Sequence, residues 1–292
     1  MTESAKKRKV LNLDVYDPVQ YKIGSVANWN AVAPSYHKNW AEKQIGPFKS
    51  TKELVKSANI RSNDVVLDLA CGTGVVSKEV SHHLGKEGML VGVDLSRVAL
   101  SIAKSSISFP NSFFAEMDAE NIGFCINFDK VVCQYALMFF PDAGKVLRSV
   151  KGIMKKDGKI AVAVHGTQEG VPYFSTIMNP VLFHIPNIRP KGTPTSYRFG
   201  DPDDLFKEIS NAGFSNIDIR KHTFQYNAGT FEEYWTDYMT TTANSIRSKI
   251  EARGKRTLDT IKKEAKVIAS RFTKNDGSIE FPWDVLIATA YN

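Results

Sequence analysis

The sequence predicts an α/β fold, a doubly wound and mostly parallel sheet of seven strands. From about residue 64 onward, short apolar runs alternate with amphipathic stretches, a pattern typical of βαβ units. The 292-residue chain is 42% apolar and 24% charged, which is enough apolar material for one large globular domain with embellishments. Collagen-like and wholly disordered chains are excluded, and no uncharged apolar run reaches the roughly 18 residues of a membrane span.

Hydrophobic patterning and end signals define the first five strands and the helices between them. The strands are predicted at 64–69, 89–93, 112–117, 128–134 and 159–164. The helices are predicted at 75–84, at 97–107 and from residue 141 onward. Pro141 suits the start of the third helix, and Asp157-Gly158 is predicted to end it before the fifth strand.

The regular alternation of strands and helices ends after the fifth strand. The remaining elements are predicted as a lid-like insertion at 166–199, a helix at 201–213, a strand at 217–226, a helical pair within an insertion at 231–278, and a closing strand at 283–291. The first insertion is rich in Pro, Gly and aromatic residues and has no clean period. Asp201 is the expected N-cap of the helix, and Gly213 is its expected stop.

The surplus of positive charge lies in two segments. The formal net charge is +7. Residues 1–10 contain four Lys or Arg residues and one Asp or Glu, and residues 241–276 contain ten Lys or Arg residues and four Asp or Glu. The rest of the chain is therefore close to neutral. A basic segment can bind nucleic acid or an acidic surface, but solvated helix faces explain the second one adequately.

The N-terminus and the cysteines bear on localisation. Residues 1–12 are interpreted as a basic, disordered tail without the apolar region of a secretory signal peptide. Three cysteines without a CxxC pair favour a reduced, cytoplasmic setting. The run Lys6–Lys9 resembles a nuclear localisation signal, a short motif that often arises by chance, so a nuclear location stays open.

The most informative stretch is the turn after the first strand, Val65-Val66-Leu67-Asp68-Leu69-Ala70-Cys71-Gly72-Thr73-Gly74. Gly72 and Gly74 would let the backbone approach a ligand closely, next to the free N–H groups of a helix N-terminus. Such a turn lies at the carboxyl end of the sheet, where ligands of open α/β folds bind. Asp94 ends the second strand, where a carboxylate can accept both hydrogen bonds of a ribose diol.

This pattern fits two cofactors, NAD and S-adenosylmethionine. A dinucleotide fingerprint requires a third glycine, but Ser77 occupies that position. S-adenosylmethionine has no phosphate and carries an ammonium group that requires a carboxylate, and Asp68 stands just before the turn. Asp118, at the end of the third strand, is placed to accept a hydrogen bond from an adenine amino group. These details favour S-adenosylmethionine.

Three ordered motifs resemble those of class I S-adenosylmethionine-dependent methyltransferases: Asp68-Leu69-Ala70-Cys71-Gly72-Thr73-Gly74, Val91-Gly92-Val93-Asp94-Leu95-Ser96 and Met117-Asp118-Ala119-Glu120. The resemblance covers about residues 60–165 and is nearest to the small-molecule branch of ubiquinone and menaquinone biosynthesis. It implies a Rossmann-like methyltransferase domain over 60–292, with an N-terminal helical cap at 13–59. The segment Trp29–Tyr36 is similar to the family's cofactor-covering helix.

The resemblance also implies roles for individual residues. Asp68 and the backbone of Gly72 and Gly74 would hold the methionine moiety, and Asp94 would hold the ribose. The residues of the implied cofactor site are Asp68, Ala70, Gly72, Gly74, Asp94, Leu95, Asp118, Ala119, Gln134 and Tyr36. Asp118 and Ala119 would bracket the adenine, Gln134 would close the site, and no metal is expected. Without the resemblance, the glycines could simply form a tight turn and the acids could cap helices.

His165 directly follows the fifth strand and is the candidate general base. A base is needed only if the acceptor must lose a proton, since methyl transfer mostly requires the acceptor to be held against the methyl group. The alternative, a polar strand-end residue without a catalytic role, is equally compatible with the sequence. The aromatic residues of the two insertions could line an acceptor pocket or seal the cap against the core.

Three function classes follow from these features. The first is a methyltransferase for a small, partly apolar or aromatic acceptor. The second is an RNA or protein methyltransferase that uses the basic tail and the basic 241–276 helices. The third is a binding protein that has kept the fold and lost turnover. The oligomeric state and the acceptor atom, O, N or C, do not follow from the sequence.

Overall fold

The computed structural model describes residues 15–292, so the basic tail at 1–12 and the Lys6–Lys9 run lie outside the described part. The strands are β1 (Val65–Leu69), β2 (Met89–Asp94), β3 (Ser112–Glu116), β4 (Phe128–Gln134), β5 (Met154–His165), β6 (Ser215–Asn227) and β7 (Glu280–Tyr291). The α-helices are α1 (Pro18–Tyr36), α2 (Thr51–Ala58), α3 (Val75–Ser81), α4 (Arg97–Ser106), α5 (Ala143–Gly152), α6 (Pro172–His184), α7 (Pro202–Asn211), α8 (Phe231–Thr240), α9 (Asn244–Glu251) and α10 (Lys255–Ala269).

All seven strands form one sheet in the order β3-β2-β1-β4-β5-β7-β6. The first five strands are parallel, and β7 runs antiparallel between β5 and β6. This confirms the predicted doubly wound, mostly parallel sheet. The winding reverses between β1 and β4, so the carboxyl ends of these strands border the crevice in which such sheets bind ligands.

Both faces of the central strands are buried, as expected for strands connected by helices. Along β1, Val66 contributes to a hydrophobic cluster on one face, and Leu67 and Leu69 contribute to the cluster on the other. The first cluster includes residues of α2, α3, α6, α8, α9 and α10, and the second includes residues of α5 and α7. Because side chains alternate along a strand, Asp68 points to the same face as Val66.

The first insertion contains a helix that the sequence pattern does not reveal. The pattern at 166–199 predicts a lid-like insertion and shows no clean period, and α6 occupies thirteen of these residues. Apolar residues lie all around this helix, and Pro180 lies inside it, so neither an amphipathic period nor helix propensity marks it. Its Tyr173 and Ile177 are fully buried in the core.

Two further expectations need correction. The second insertion holds three helices, α8, α9 and α10, instead of a pair, because the chain breaks at 241–243 and again at Gly254, which has a left-handed φ of +88°. The helix before β5 ends at Gly152, and Asp157-Gly158 lies within β5, where the register with β4 shifts. Asp201 caps α7 as predicted, since its carboxylate accepts from Asp203 N.

The N-terminal segment folds across the carboxyl end of the sheet. Asn30, in α1, accepts a hydrogen bond from Ser96 Oγ at 2.8 Å, and α1 packs on α4 and α9. A turn of π-helix (His37–Ala41) and one of 3-10 helix (Gly46–Ser50) lead from α1 to α2. None of the described helices has the length and apolar character needed to cross a bilayer.

Candidate active site

A cavity of about 1090 Å³ lies between α1 and the carboxyl ends of β1, β2, β4 and β5. Residues within 188–196 and 241–249, from the two insertions, complete its wall. The predicted site residues that line it are Tyr36, Asp68, Ala70, Gly72, Asp94, Leu95, Asp118, Ala119, Gln134 and His165. A pocket for one drug-sized ligand usually measures about 300–1,000 Å³, so this cavity has room for two small molecules side by side.

The turn after β1 has a strained, ligand-facing backbone. Ala70, Gly72 and Gly74 all have left-handed φ values, of +55°, +53° and +88°. A Cβ at Gly72 would meet no atom within 4 Å, so the backbone there faces open space that a ligand can enter. A Cβ at Gly74 would lie 3.1 Å from the Ala103 backbone. Gly74 is absent from the cavity wall and is explained by close packing on α4.

Asp94 connects the end of β2 to this turn. Its Oδ2 accepts from Gly72 N and its Oδ1 accepts from Ser96 N, each at 2.8 Å. Burial raises the pKa of this carboxyl, and the backbone N–H donors partly oppose that rise. A carboxylate oxygen can accept two hydrogen bonds, so each oxygen has capacity for one more. The carboxylate is therefore held rigidly on the cavity wall, where two hydroxyl groups of a ribose could reach it.

Asp68 is the most deeply buried carboxyl of the site. It is 1% exposed, and its Oδ2 accepts from Ser77 Oγ at 2.6 Å. Burial raises the pKa of Asp68 to about 7, and the nearby Asp94 adds to the rise while Ser77 opposes it. Ser77, which stands where a dinucleotide fingerprint would have its third glycine, therefore supports a carboxylate. A bound ammonium group would favour the ionised form of Asp68.

Asp118 follows β3 and is held to α1 by an ion pair. Lys22 Nζ donates to Asp118 Oδ2 at 2.8 Å and to Glu120 Oε2 at 2.6 Å. Partial burial raises the pKa of Asp118, but the hydrogen bonds from Lys22, Glu120 N and Asn121 lower it below its usual value overall. Lys22 therefore links the cap to Asp118, which is expected from the sequence to border the adenine.

Gln134 and Tyr36 both line the cavity, and the side-chain amide of Gln134 already has hydrogen-bond partners. Its Oε1 accepts from Thr51 Oγ1 at 3.1 Å, and its Nε2 donates to Ser50 Oγ at 3.0 Å. The amide thus joins β4 to α2 and has one N–H left for a ligand. The Tyr36 ring stacks on Trp40, which fixes it against the core.

His165, at the end of β5, lies in an aromatic enclosure on the cavity wall. Its ring stacks on Tyr135 with centroids 4.3 Å apart, and Phe174 lies 5.0 Å away. Trp283 Nε1 donates to His165 Nδ1 at 3.1 Å. Burial lowers the pKa of His165 to about 3, so the imidazole is neutral near pH 7. A histidine this weakly basic is poorly suited to the general-base role that the sequence suggested.

Two residues of this enclosure escaped the sequence-based site prediction. Tyr135 has a left-handed φ of +56°, a strained conformation for a bulky residue that turns its ring toward His165. Trp283 lies near the start of β7, far from every recognised motif. Neither a motif nor a period marks these positions. The crowding of aromatic residues in the insertions was the available signal, and Phe174 belonged to that group.

Comparison with known proteins supports the cofactor chemistry. Residues 60–182 match a family model described as a methyltransferase domain. These residues therefore form an S-adenosylmethionine-dependent methyltransferase domain. The chain is 27% identical to a demethylmenaquinone methyltransferase of Staphylococcus saprophyticus over 234 residues, which cover 75% of this chain and 93% of that one. It is also 27% identical to a ubiquinone/menaquinone biosynthesis C-methyltransferase of Wigglesworthia glossinidia brevipalpis over 55% of this chain and 61% of that one.

Solved structures agree with the fold. The methyltransferase resembles the YcgJ protein of Bacillus subtilis with a TM-score of 0.57 and 19% identity, over 84% of this chain and 98% of that one. It resembles phosphoethanolamine N-methyltransferase 2 of Haemonchus contortus, solved with S-adenosylhomocysteine, with a TM-score of 0.58 and 15% identity, over 95% and 60% of the two chains. At these identities the similarity extends to the architecture alone.

Proposed function

We propose that this enzyme transfers a methyl group from S-adenosylmethionine to a small, partly apolar or aromatic acceptor by in-line displacement. The observation that carries the proposal is the enclosure of Tyr135, His165, Phe174 and Trp283, which shares one cavity with the cofactor turn. Flat aromatic walls favour a flat apolar ligand. The described part of the cap, residues 15–59, and the insertions at 166–199 and 231–278 would then cover the two ligands.

Within the proposed site, each residue has a defined task. Asp94 would hold the ribose and Asp68 the ammonium group, while Asp118 and Ala119 would border the adenine. S-adenosylmethionine supplies an electrophilic methyl carbon, whose bond to sulfur breaks with the electron pair left on sulfur as the acceptor atom bonds to it. The proton that the acceptor gives up would pass to water, since the weakly basic His165 does not take it.

The names of the relatives indicate an acceptor class. A demethylmenaquinone methyltransferase is named for a quinone, and a quinone-derived ring would lie flat between aromatic side chains. We infer a reduced quinone or a related phenol as the acceptor. The macromolecular alternative is weaker, because the aromatic side chains of the cavity wall suit a small flat ring better than an RNA strand or a folded protein. Part of the basic surface of 241–276 is also paired, for example Arg247 with Glu251 and Lys262 with Glu232.

A methyl-transfer assay tests this proposal. The enzyme would be incubated with methyl-labelled S-adenosylmethionine and 1,4-naphthoquinol kept reduced by dithionite. We expect a product heavier by one methylene unit, formed in equal amount to S-adenosylhomocysteine. A panel of catechols and simple phenols would be run in parallel. If the enzyme binds the cofactor and methylates none of these rings, the acceptor class is wrong.

A mobility-shift experiment tests the alternative directly. The full chain would be mixed with a mixture of short RNAs at low and at high salt. Since phosphate contacts make affinity fall steeply with salt, RNA binding that matters for function would appear at low salt. We expect no shifted band at the enzyme concentrations that suffice for methyl transfer. A shift at those concentrations, together with methylated RNA, would favour the macromolecular acceptor.

A further inference from the structure

The tautomer of His165 follows from its hydrogen bond with Trp283. The indole N–H of Trp283 is a donor and cannot accept, so Nδ1 of His165 must be the acceptor in their 3.1 Å bond. A neutral imidazole has one proton, which then lies on Nε2. Burial of the ring also disfavours a second proton. His165 is therefore a fixed N–H donor at Nε2.

The Nε2 atom is directed to the cavity. The His165 side chain is 4% exposed, and its ring is covered by Tyr135 on one face and by Phe174 nearby. His165 Nε2 has no hydrogen-bond partner among the described residues. It is also not one of the fully buried polar atoms without a partner, so part of its surface is accessible. Since His165 lines the cavity, the small accessible part of the ring includes this N–H.

We propose that His165 Nε2–H donates a hydrogen bond to an oxygen of the acceptor and so selects rings that carry a hydroxyl, oxyanion or carbonyl oxygen. This inference rests on the proposed function and narrows its acceptor class. A donor with no other partner among the described residues, in an apolar enclosure, favours a ligand that can accept from it, and an analogue without the oxygen would leave the N–H unpaired. His165 binds and orients the acceptor in this arrangement and takes no proton from it.

Trp283 acts through His165 and is a positioning residue. Its N–H holds Nδ1 in the acceptor state and thereby keeps the proton on Nε2. Without the indole N–H, the two tautomers would compete, and part of the population would present a bare nitrogen to the cavity. The aromatic contacts of Trp283 with Phe174 and Tyr173 would persist in Trp283→Phe, so that this substitution addresses the hydrogen bond more than the packing.

The first test is spectroscopic and needs no turnover. Protein labelled with ¹⁵N-histidine would be studied by long-range ¹H–¹⁵N correlation between pH 5 and 8, with His165→Gln used to assign the signal. We expect one histidine in the Nε2–H tautomer without titration over this range. S-adenosylhomocysteine and 1,4-naphthoquinone do not react with each other. In the complex with both, the resonance of the His165 Nε2–H proton should shift downfield. A ring that titrates near pH 6.5, or a bound quinone that leaves this proton unshifted, would overturn the proposal.

The second test is kinetic. The side-chain amide introduced by His165→Gln places a nitrogen donor near the position of Nε2 but cannot act as a base, and His165→Leu removes the donor. With naphthoquinol we expect His165→Gln to stay within about threefold of the wild-type kcat/KM, and His165→Leu to lose roughly tenfold or more, mainly in KM. His222→Gln, on the outer strand β6, is the matched control.

The kinetic outcomes separate this inference from the proposed function. If the wild-type enzyme methylates no oxygen-bearing ring, the function itself fails. If it does methylate such a ring, the two variants decide the role of His165. Equal loss of activity in His165→Gln and His165→Leu, together with loss of the pH dependence between pH 5 and 8, would show that His165 is a base and that the donor role is wrong. Binding of S-adenosylhomocysteine and thermal unfolding of both variants would show that the cofactor site and the fold are retained.

Discussion

The cofactor side and the acceptor side of the cavity are built by different means. On the cofactor side, carboxylates are bound by groups close in sequence, as in the hydrogen bonds from Ser96 N to Asp94 and from Ser77 Oγ to Asp68. On the acceptor side, rings from three distant segments, those of Tyr135, Phe174 and Trp283, surround His165. In the proposed function, the first arrangement would place charge for the constant cofactor, and the second would provide a matching shape and one N–H donor for the acceptor.

This contrast means that substitutions on one side should leave the other side intact. The cofactor side should be disturbed by loss of a charge or by pH, and the acceptor side by loss of a ring. Measurements of S-adenosylhomocysteine binding and of the KM for the acceptor can therefore be paired, and a substitution that changes both equally would contradict the division.

The largest effect is expected for Asp94→Ala. This change removes both proposed ribose contacts and leaves Gly72 N without its acceptor. We expect S-adenosylhomocysteine to bind more weakly by about 1.5–3 kcal/mol, roughly ten- to a hundredfold, in isothermal titration calorimetry. Glu116→Gln, an exposed position at the end of β3, is the control. Equal affinity of the wild-type and the Asp94→Ala proteins would rule out a ribose-binding role.

A change of pH is expected to have an intermediate effect on the affinity for S-adenosylhomocysteine, through the protonation of Asp68. Its pKa in the ligand-free protein is raised to about 7 by burial, so a proton must leave when a cationic ammonium group binds beside it. The affinity for S-adenosylhomocysteine should therefore fall as the pH is lowered, by roughly fivefold from pH 7 to 6. Asp68→Asn should bind weakly with a flatter pH dependence. The same slope in both proteins would assign the titration to another group.

The smallest effect is expected on the acceptor side, for Phe174→Ala. Loss of one aromatic contact typically costs about 0.5–1.5 kcal/mol, which corresponds to a roughly two- to tenfold higher KM for the acceptor. Binding of S-adenosylhomocysteine should be unchanged. Phe183→Ala, on the same helix α6 but 77% exposed, is the matched control. A weaker cofactor affinity in Phe174→Ala would show that the two sides are coupled.

The sequence could indicate which residues of the proposed cofactor side line the cavity, because their positions follow from local patterns. The turn at Gly72 and the acids Asp68 and Asp94 stand at the ends of strands that their own apolar residues define, so a parallel sheet brings them to one edge. Gly74 shows the limit of such reasoning, since the packing of α4 against it is a tertiary contact that the motif does not record.

The acceptor side could be predicted only in part, because its properties arise from distant contacts. The position of His165 after β5 follows from the strand pattern, but its tautomer depends on Trp283, 118 residues further along the chain. The left-handed backbone of Tyr135 is likewise not indicated by its residue type. The helix α6 was missed because it is buried on several sides and lacks the polar stripe that marks a surface helix.

The two ion pairs of Lys22 have a consequence for the timing of the reaction cycle. They hold α1 against Asp118 and Glu120, on the wall of the cavity in which the spent cofactor would lie. Detachment of α1 would open this wall for the exchange of product and fresh cofactor, and motions of this kind limit turnover in many enzymes. We expect the residence time of S-adenosylhomocysteine, and with it inhibition by the accumulated product, to be governed by this helix.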